Sequence, residues 1–344
     1  MDGGKRRRVL VVRIGAMGDV LHALPAVCAL RSVHPEWEIG WAIEPRWEAL
    51  LRSSDGGMPV VDRVHLVSTR AWKQRPFSWE TMQEIAELRR ELRAARYDVC
   101  VDMQGTIRSA VVGWMAGSER MVGMAEPREA PASWVYGERV KVTAAHVVEQ
   151  GCEVLGAAVG VALEPGRVKL PVDAAAEAWC EELVAREGSR WAVMAPTAGW
   201  GAKAWPAERF GAVAAALGRA GLRTLVNAAS AEDATAGQVV GASEGFAVAV
   251  PCSVAQMIAM VRRAEVVIAG DTGPLHLAAA LERPLVGLFG PTDPRRTGPY
   301  GTRVRVLRDE SSVTSHARRT ETEAGLKKIG VDAVVAAARE VLGW

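Results

Sequence analysis

Short runs of β-branched and other apolar residues alternate with longer amphipathic stretches along almost the whole chain. This alternation limits the possible folds more than any other feature. Short apolar runs bounded by glycine and proline turns are typical of buried strands, whereas the longer stretches have helical periodicity. The alternation of the two indicates an α/β fold on mostly parallel sheets. The strands predicted are 9–12, 38–43, 60–67, 97–102, 191–195, 224–227, 266–269 and 285–289.

The alternation is interrupted near the middle of the chain. Residues 164–173, EPGRVKLPVD, contain two prolines and a glycine and show little periodicity. A chain of 344 residues exceeds the usual size of one compact core, so two domains are expected. We predict an N-terminal Rossmann-like domain over 1–165 and a C-terminal one over 173–325, facing a central cleft. Such sheets bind ligands at the carboxyl ends of their strands, so the turns after the strands are the candidate sites.

The helical periodicity predicts helices at residues 81–96, 206–218, 253–263, 274–281 and 331–342. Pro25 is expected to interrupt the helix that follows the first strand, because proline has no backbone N–H. Residues 68–80, STRAWKQRPFSWE, are predicted to form a basic, aromatic loop.

Composition and missing motifs exclude several classes of protein. The formal charge is +2, from 42 basic and 40 acidic residues, which excludes a generic nucleic-acid-coating protein. The apolar runs are far shorter than the roughly 18 residues of a membrane span, and 9–12 is too short for a signal peptide, so a cytosolic chain is expected. Five cysteines without Cys-x-x-Cys, no Asp-x-Asp and no metal-spaced histidine pair argue against a disulfide framework or a metal site. Dinucleotide-binding and P-loop motifs are absent as well.

Two turns of the first half carry polar groups. The turn after the first strand is glycine-rich and leads to Asp19, which either caps the helix amides or acts as a general base. The turn 102–109 either binds a sugar or an acid, or serves only as a cap. The segment 68–80 interleaves three basic with three aromatic residues, which suits an anionic, amphipathic partner unless the loop is simply solvated.

Polar turns also follow the strands of the second half. The turn 196–206 brings a threonine, backbone amides and Lys203 to a helix start, which suits a diphosphate, although a lone surface lysine is the simpler interpretation. Glu232 and Asp233 either bind a ribose diol or only favour the helix dipole. The turn 270–276, GDTGPLH, directs a carboxylate, a hydroxyl and bare amides to the cleft; its histidine either contacts the ligand or is structural.

Four segments occur in the same order in the ADP-heptose:lipopolysaccharide heptosyltransferases, which the sequence resembles over nearly its whole length. They are RVLVVRIGAMGDVLH at 8–22, KAWP at 203–206, GDTGPLH at 270–276 and GPTD at 290–293. DMQG at 102–105 and RE at 128–129 resemble the inner-core type, which adds the first heptose to Kdo on lipid A. The resemblance implies a GT-B fold, with the acceptor on the first domain, the nucleotide sugar on the second, and the helix at 331–344 crossing back onto the first.

The resemblance also implies a reaction and a set of site residues. The reaction is the inverting transfer of heptose from ADP-L-glycero-D-manno-heptose to the Kdo of Kdo-lipid A, without a metal or other cofactor. Asp19 would be the catalytic base, and Lys203 would contact the donor phosphates. The other donor-binding residues implied are Thr197, Glu232, Cys252, Asp271, Thr272, Gly273 and His276. The acceptor-binding residues implied are Gly18, Arg70, Lys73, Gln104, Arg108 and Arg128.

The expected partners are therefore the nucleotide sugar and Kdo-lipid A, with no nucleic acid, and the protein is expected to be a monomer. The cluster Lys5–Arg8 and the segment 68–80 predict weak peripheral contact with the cytoplasmic face of the inner membrane, since each basic residue near an anionic surface contributes about 1 kcal/mol. A solvated tail is the alternative for 5–8. Two other functions stay open: a family member with another donor or acceptor, such as the second-heptose type, and a non-catalytic sugar-nucleotide-binding protein.

Overall fold

A computed structural model describes residues 6–315, 317 and 319–344. The chain divides into two compact units, Met1–Pro171 and Val172–Trp344, and the division lies within the segment 164–173. Lys5, which belongs to the basic cluster predicted to contact a membrane, lies outside the described residues. In the part of the chain that is described, no helix is long and apolar enough to span a membrane.

The first unit is built on parallel strands. They are β1 (Arg8–Val12), β2 (Glu38–Ile43), β3 (Arg63–Leu66), β4 (Val99–Asp102), β5 (Arg120–Met124) and β6 (Glu138–Val140). The helices are α1 (Met17–Val33), α2 (Thr69–Gln74), α3 (Trp79–Ala95), α4 (Ile107–Met115) and α5 (Val147–Val159), with 3-10 helices at Pro45–Leu50 and Ala130–Val135. Within the described residues the sheet has six strands, in the order β3-β2-β1-β4-β5-β6.

The core of the first unit lies on both faces of this sheet. Leu10 and Val12 project from one face of β1 into a cluster that includes Leu88 of α3 and Val112 of α4. The alternate residues of β1 are equally buried on the opposite face, because successive side chains of a strand point in opposite directions. Burial on both faces explains why the central strands are continuous apolar runs rather than alternating ones.

The second unit repeats this architecture. Its strands are β7 (Trp191–Ala195), β8 (Arg223–Ala228), β9 (Ala247–Pro251), β10 (Val266–Gly270), β11 (Leu285–Leu288) and β12 (Val304–Leu307). The helices are α6 (Ala174–Glu187), α7 (Ala207–Arg219), α8 (Ala234–Gly241), α9 (Val254–Arg262), α10 (Gly273–Ala280), α11 (Pro294–Thr297), α12 (Ala324–Lys328) and α13 (Val331–Leu342), with a 3-10 helix at Gly201–Lys203. The parallel sheet has the order β12-β11-β10-β7-β8-β9.

In both sheets the strand order reverses once, between β1 and β4 in the first unit and between β7 and β10 in the second. This order is that of the doubly wound Rossmann fold, in which ligands bind beyond the carboxyl ends of the strands at the reversal. The predicted α/β fold with two Rossmann-like parallel sheets is confirmed.

Two local predictions in the first unit are wrong. Helix α1 runs unbroken through Pro25. A proline removes one N–H donor and crowds the carbonyl four residues earlier. The residues around Pro25, such as Leu24 and Val27, are fully buried, and this packing holds the helix in place. The segment 68–80 is not a continuous loop, since α2 forms inside it and Ser78 caps α3 by accepting a hydrogen bond from the amide of Thr81 (3.2 Å). The predicted strand 60–67 is shorter, β3 alone.

The crossing of the last helix onto the first domain stays a prediction. In the structure α13 belongs to the second unit, where it packs on α7, β11 and β12. Its buried side chains Val334, Ala338 and Val341 share one core with Phe210 of α7 and Val286 of β11. The apolar stripe of α13 is therefore already buried within its own unit.

Candidate active site

The turn after β1 places Asp19 in the first turn of α1. Asp19 Oδ2 accepts a hydrogen bond from the amide of Ala16 (3.1 Å), and Oδ1 lies 3.2 Å from the guanidinium of Arg13. The side chain of Asp19 remains 34% exposed. Each carboxylate oxygen has two lone-pair directions, so a hydroxyl arriving from solvent still finds an acceptor. Asp19 thus satisfies an amide at the helix start and also presents a carboxylate to solvent.

Gln104 holds this turn from across the strand reversal. Its Oε1 accepts hydrogen bonds from the amides of Ile14 (2.7 Å) and Gly15 (3.3 Å), immediately after β1. The neighbouring Met103 carbonyl accepts a hydrogen bond from Arg13. The β4 turn therefore positions both the glycine turn and the arginine that pairs with Asp19, and the predicted contact of Gln104 with an acceptor stays a prediction.

Asp102 is a fully buried carboxylate beneath the β4 turn. Its Oδ1 accepts hydrogen bonds from the amides of Gln104 (2.9 Å) and Gly105 (3.1 Å), and its Oδ2 from the hydroxyls of Ser109 (2.9 Å) and Tyr136 (2.7 Å). Burial raises the pKa of Asp102, although these hydrogen bonds oppose the rise. Asp102 organises the turn from within, whereas the cap of α4 is Thr106, whose hydroxyl accepts a hydrogen bond from the amide of Ser109 (3.3 Å).

Guanidinium groups gather at the carboxyl edge of the same sheet. Arg108 donates to Thr69 Oγ1 (3.2 Å), and the Thr69 hydroxyl donates to Glu44 (2.7 Å). Glu44 also accepts the backbone amide of Arg70 (3.2 Å). The pKa of Arg46 is lowered by partial burial and by repulsion from Arg70, so these two cations lie close together. The predicted acceptor residues Arg70 and Arg108 thus belong to one network.

The remaining acceptor-side residues lie around this edge. Lys73 is exposed on α2, Gly18 precedes Asp19 within α1, and Arg128 is exposed in the segment after β5. A Cβ at Gly105 would come within 3.0 Å of the amide nitrogen of Arg128, and φ of Gly105 is +68°. Glycine is needed at 105 because the backbones approach so closely there and because this φ is left-handed.

In the second unit, Lys203 and Asp271 form an ion pair across the strand reversal. Lys203 Nζ lies 2.6 Å from Asp271 Oδ2, and His276 Nε2 lies 3.0 Å from Asp271 Oδ1. Burial alone would raise the pKa of Asp271, but the hydrogen bond and charge of His276, together with Lys203, hold that pKa well below its usual range. The structure therefore brings three predicted donor residues into one contact group.

The turn that carries Lys203 is anchored on both sides. The amide of Ala202 donates to the carbonyl of Arg319 (3.0 Å), and Trp205 Nε1 donates to the carbonyl of Ile329 (3.1 Å). The indole of Trp205 is fully buried. In the KAWP segment the tryptophan is an anchor, and it fixes the position of the lysine two residues earlier.

Three more predicted donor residues lie in the turns after β7 and β10. Thr272 is the N-cap residue of α10 and Gly273 is its first residue. Thr197 is exposed in the loop after β7, and its side chain makes no hydrogen bond to the residues that the structure describes.

The other predicted donor residues, Glu232 and Cys252, do not join the Lys203 group. Glu232 is exposed, and the cap of α8 is Asp233, which accepts the amide of Thr235 (3.0 Å). Cys252 follows β9, where its Sγ accepts a hydrogen bond from Asn227 Nδ2 (3.5 Å). Burial raises the pKa of the Cys252 thiol to about 11. Among residues 6–315, 317 and 319–344, no three His, Cys, Asp or Glu side chains are grouped as metal ligands would be.

Sequence reasoning missed Arg13 and Arg46. Each follows a fully buried strand by one to three residues, at the edge where the other site residues lie. A cation within three residues of the end of a buried strand is the signal that could have revealed both, because such a charge cannot be part of the core.

Comparisons with known proteins identify a family and several relatives. Residues 85–327 match the family model Glycosyltransferase family 9 (heptosyltransferase). The chain is 30% identical over 304 residues to lipopolysaccharide heptosyltransferase 1 of Salmonella typhimurium, covering 86% of this chain and 92% of that protein. Lipopolysaccharide heptosyltransferase 1 of Escherichia coli strain K12 is 30% identical over 314 residues, covering 88% and 93%.

Solved structures show the same likeness. E. coli heptosyltransferase WaaC with ADP matches with a TM-score of 0.80 and 26% identity, over 97% of this chain and 99% of that one. WaaC with ADP-2-deoxy-2-fluoro heptose matches with a TM-score of 0.76 and 27% identity, over the same shares. The fold is that of the GT-B glycosyltransferases, and the chain belongs to glycosyltransferase family 9, the heptosyltransferases.

Proposed function

We propose that this enzyme transfers heptose from ADP-L-glycero-D-manno-heptose to Kdo of the lipopolysaccharide inner core, on Kdo-lipid A, with inversion at the anomeric carbon. The observation that carries the proposal is the Asp19 carboxylate, partly exposed beyond β1 at the strand reversal and paired with Arg13. The first-heptose type is favoured because heptosyltransferase 1 relatives align with 86–93% of this chain, whereas two heptosyltransferase 2 relatives align with 31% and 22%.

In the proposed step, Asp19 takes the proton of an acceptor hydroxyl while that oxygen attacks the anomeric carbon of the heptose. The new C–O bond forms on the face opposite to ADP. The bond from the anomeric carbon to the diphosphate oxygen breaks, and ADP departs with its electron pair. General base catalysis contributes typically ~10²–10⁴-fold. Arg13 and the amide of Ala16 fix the orientation of the carboxylate.

The donor half of the proposal assigns the leaving diphosphate to the second unit. Its growing negative charge would be met by Lys203 and by the amides at the start of α10, at Thr272 and Gly273, without a metal. Asp271, held by Lys203 and His276, would accept hydrogen bonds from heptose hydroxyls. Thr197 is assigned to the phosphates, Glu232 to the ribose and Cys252 to the adenine side.

The acceptor half assigns the anionic groups of Kdo-lipid A to the first unit. The exposed cations of α2, α4 and the segment after β5 suit carboxylates and phosphates, for which arginine offers paired donors. These residues are Arg70, Lys73, Arg108 and Arg128. Gly18 and Gln104 border the hydroxyl that Asp19 would deprotonate. Because this acceptor is a lipid, we place the enzyme peripherally on the cytoplasmic face of the inner membrane.

The test is ADP release by purified protein with ADP-heptose and Kdo-lipid A. Asp19→Asn is expected to lower kcat by about 10²–10⁴-fold. The matched control is Asp332→Asn, which changes another exposed aspartate in the first turn of a helix, α13, and is expected to leave kcat unchanged. Undiminished transfer by Asp19→Asn would contradict the role of the base.

The acceptor and donor are tested in the same assay. Turnover only with an acceptor that already carries one heptose would replace the first-heptose assignment by the second-heptose type. Binding of ADP-heptose without release of ADP under any of these conditions would identify a sugar-nucleotide-binding protein instead.

A further inference from the structure

Large apolar side chains are exposed on one surface of the first unit. We call them the apolar face, and they lie at the start of α3, on α4 and on the 3-10 helix Ala130–Val135. They are Phe77, Trp79, Met82, Ile107, Trp114 and Trp134. The aromatic rings of Phe77, Trp79 and Trp134 belong to residues that are 73–93% exposed. Several large exposed apolar side chains on adjoining elements of one unit mark an interaction site in a globular protein.

Helix α4 shows the pattern most clearly, because it is apolar on both sides. Ala110 and Met115 face the core of the first unit. On the outer side, Ile107, Val111 and Trp114, at spacings of four and three residues, are 46–57% exposed. An ordinary surface helix has a polar outer side. The outer side of α4 instead has one charged residue, Arg108.

The elements that carry the apolar face lie side by side. Helix α4 packs against both α3 and the 3-10 helix. Arg93 of α3 donates to the carbonyl of Met115 at the end of α4 (3.4 Å), and Arg108 at the start of α4 reaches Thr69 of α2 (3.2 Å). Helices α3 and α4 therefore run in the same direction, and the first turn of each lies near the carboxyl edge of the sheet. This edge also carries Asp19.

A basic segment borders the apolar face. Residues 69–75, which we call the basic segment, contain Arg70, Lys73 and Arg75 and no acidic residue. Arg70 and Lys73 are exposed and form no ion pair within the described part of the chain. Exposed aromatic rings beside unpaired cations fit a partner that has an apolar interior and an anionic surface layer.

Two acidic residues at this border are engaged by the protein itself. Glu84 accepts a hydrogen bond from Trp72 Nε1 (2.8 Å) and lies 3.8 Å from Arg75, and Glu129 accepts the amide of Ile107 (2.8 Å). Glu84 is thus paired with Arg75, whereas Glu129 and Glu80, which is exposed in the first turn of α3, keep their negative charge. The exposed cations Arg70, Lys73, Arg108 and Arg128 outnumber these two carboxylates, so the border is positive on balance.

We propose that the apolar face and the basic segment 69–75 dock the first unit on an anionic phospholipid bilayer, with the aromatic rings at headgroup depth. Tryptophan is favoured at that depth because its ring is apolar and its N–H is polar. The basic side chains would contact lipid phosphates. The inference rests on the proposed function in one respect, the use of a lipid-borne acceptor, which this orientation brings to the Asp19 edge.

A second copy of the chain suits this surface less well. A twofold contact places the same patch on both partners. It would bring two copies of segment 69–75 together, and like charges at close range oppose association.

The test is co-sedimentation of the full chain with vesicles of phosphatidylethanolamine and phosphatidylglycerol (about 3:1), and with vesicles of phosphatidylcholine alone. The triple variant Trp79→Ser, Trp114→Ser, Trp134→Ser removes three rings of the apolar face, and Trp344→Ser is the matched control from an exposed site of the second unit. We expect the wild type to bind the anionic vesicles, in a salt-sensitive way, and the triple variant to bind at least about tenfold more weakly. Trp344→Ser should bind within about twofold of the wild type. Wild type that does not bind anionic vesicles at low salt, or a folded triple variant that binds like wild type, would overturn the proposal.

Two further measurements separate this inference from the proposed function and from self-association. With Kdo-lipid A in vesicles the triple variant should lose about tenfold in rate, whereas with a Kdo acceptor that lacks acyl chains its rate should equal that of the wild type. Wild type that transfers to neither acceptor but shows the expected vesicle binding would refute the function and support the docking surface. A wild-type dimer that the triple variant converts to a monomer in sedimentation velocity would make the face a self-interface and refute the docking.

Discussion

Replacing Lys203 by methionine leaves Asp271 as a buried carboxylate with one partner fewer. In the wild type the charged atoms are 2.6 Å apart, and the side chains of Lys203 and Asp271 are 16% and 7% exposed. Removing one member of a buried pair costs roughly 3–5 kcal/mol. Because His276 still holds the other carboxylate oxygen at 3.0 Å, we expect the free energy of unfolding to fall by about 2–3 kcal/mol at pH 7.

A double-mutant cycle isolates the pair. Lys203→Met, Asp271→Asn and the double variant are compared with wild type by urea denaturation of the full chain at pH 7. In the double variant neither charge remains, so its loss should be smaller than the sum of the single losses by about 1–2 kcal/mol. Lys73→Met, at an exposed lysine, should change the free energy of unfolding by less than about 0.5 kcal/mol. Additive single losses would refute the reasoning.

The pH dependence of this cost has a definite sign. The pKa of Asp271 is lowered in the folded protein, so its stabilisation is complete above the ordinary aspartate value of about 3.9. It is lost as the pH falls through the lower, folded value. The cost of Lys203→Met should therefore stay constant between about pH 7 and pH 5 and shrink below about pH 4. A cost that already disappears at pH 6 would show that another group titrates.

Three further predictions concern the cation beside Asp19, the buried carboxylate of Asp102 and the thiol that follows β9. Arg13→Gln removes the cation 3.2 Å from Asp19 and should lower kcat about tenfold in the ADP-release assay, and an unchanged kcat would contradict its positioning role. Asp102→Ala leaves four donors without their acceptor and should lower the free energy of unfolding by about 2–4 kcal/mol in urea titrations; a loss below about 1 kcal/mol would show that water replaces the carboxylate. Cys252, whose pKa is raised to about 11, should react with iodoacetamide at pH 8 about a hundredfold more slowly than in urea, as followed by peptide mass spectrometry, and equal rates would contradict the raised pKa.

The central strands could be predicted from sequence because both of their faces are buried. β2 and β7 have the predicted bounds, since continuous apolar runs between turns have few other interpretations. β5, β6, β9 and β12 were not predicted. β5, β6 and β12 begin with or contain charged side chains, such as Arg120, Glu138 and Arg305. β6, β9 and β12 lie at sheet edges, where the apolar pattern weakens.

The candidate site could be predicted only as a set of turns. The strand-end rule located Asp19, Lys203 and Asp271, but the lysine and the aspartate of the ion pair are 68 residues apart, and no local pattern determines their distance. The use of Gln104 as a clamp on the glycine turn was equally inaccessible, because it requires β1 and β4 to be neighbours in the sheet. Neighbour relations of this kind come from the topology of the whole unit.

Both units place an aspartate at the strand reversal, yet the two carboxylates are suited to different chemistry. Asp271 is buried and held by Lys203 and His276, which keep its pKa below the usual range, so it does not take up a proton near neutral pH. It is suited to accepting hydrogen bonds as a permanent anion. Asp19 is one-third exposed and has one arginine beside it, so a hydroxyl can reach it from solvent. This difference in burial and pairing, which the motifs do not contain, is the physical reason for assigning the base to Asp19.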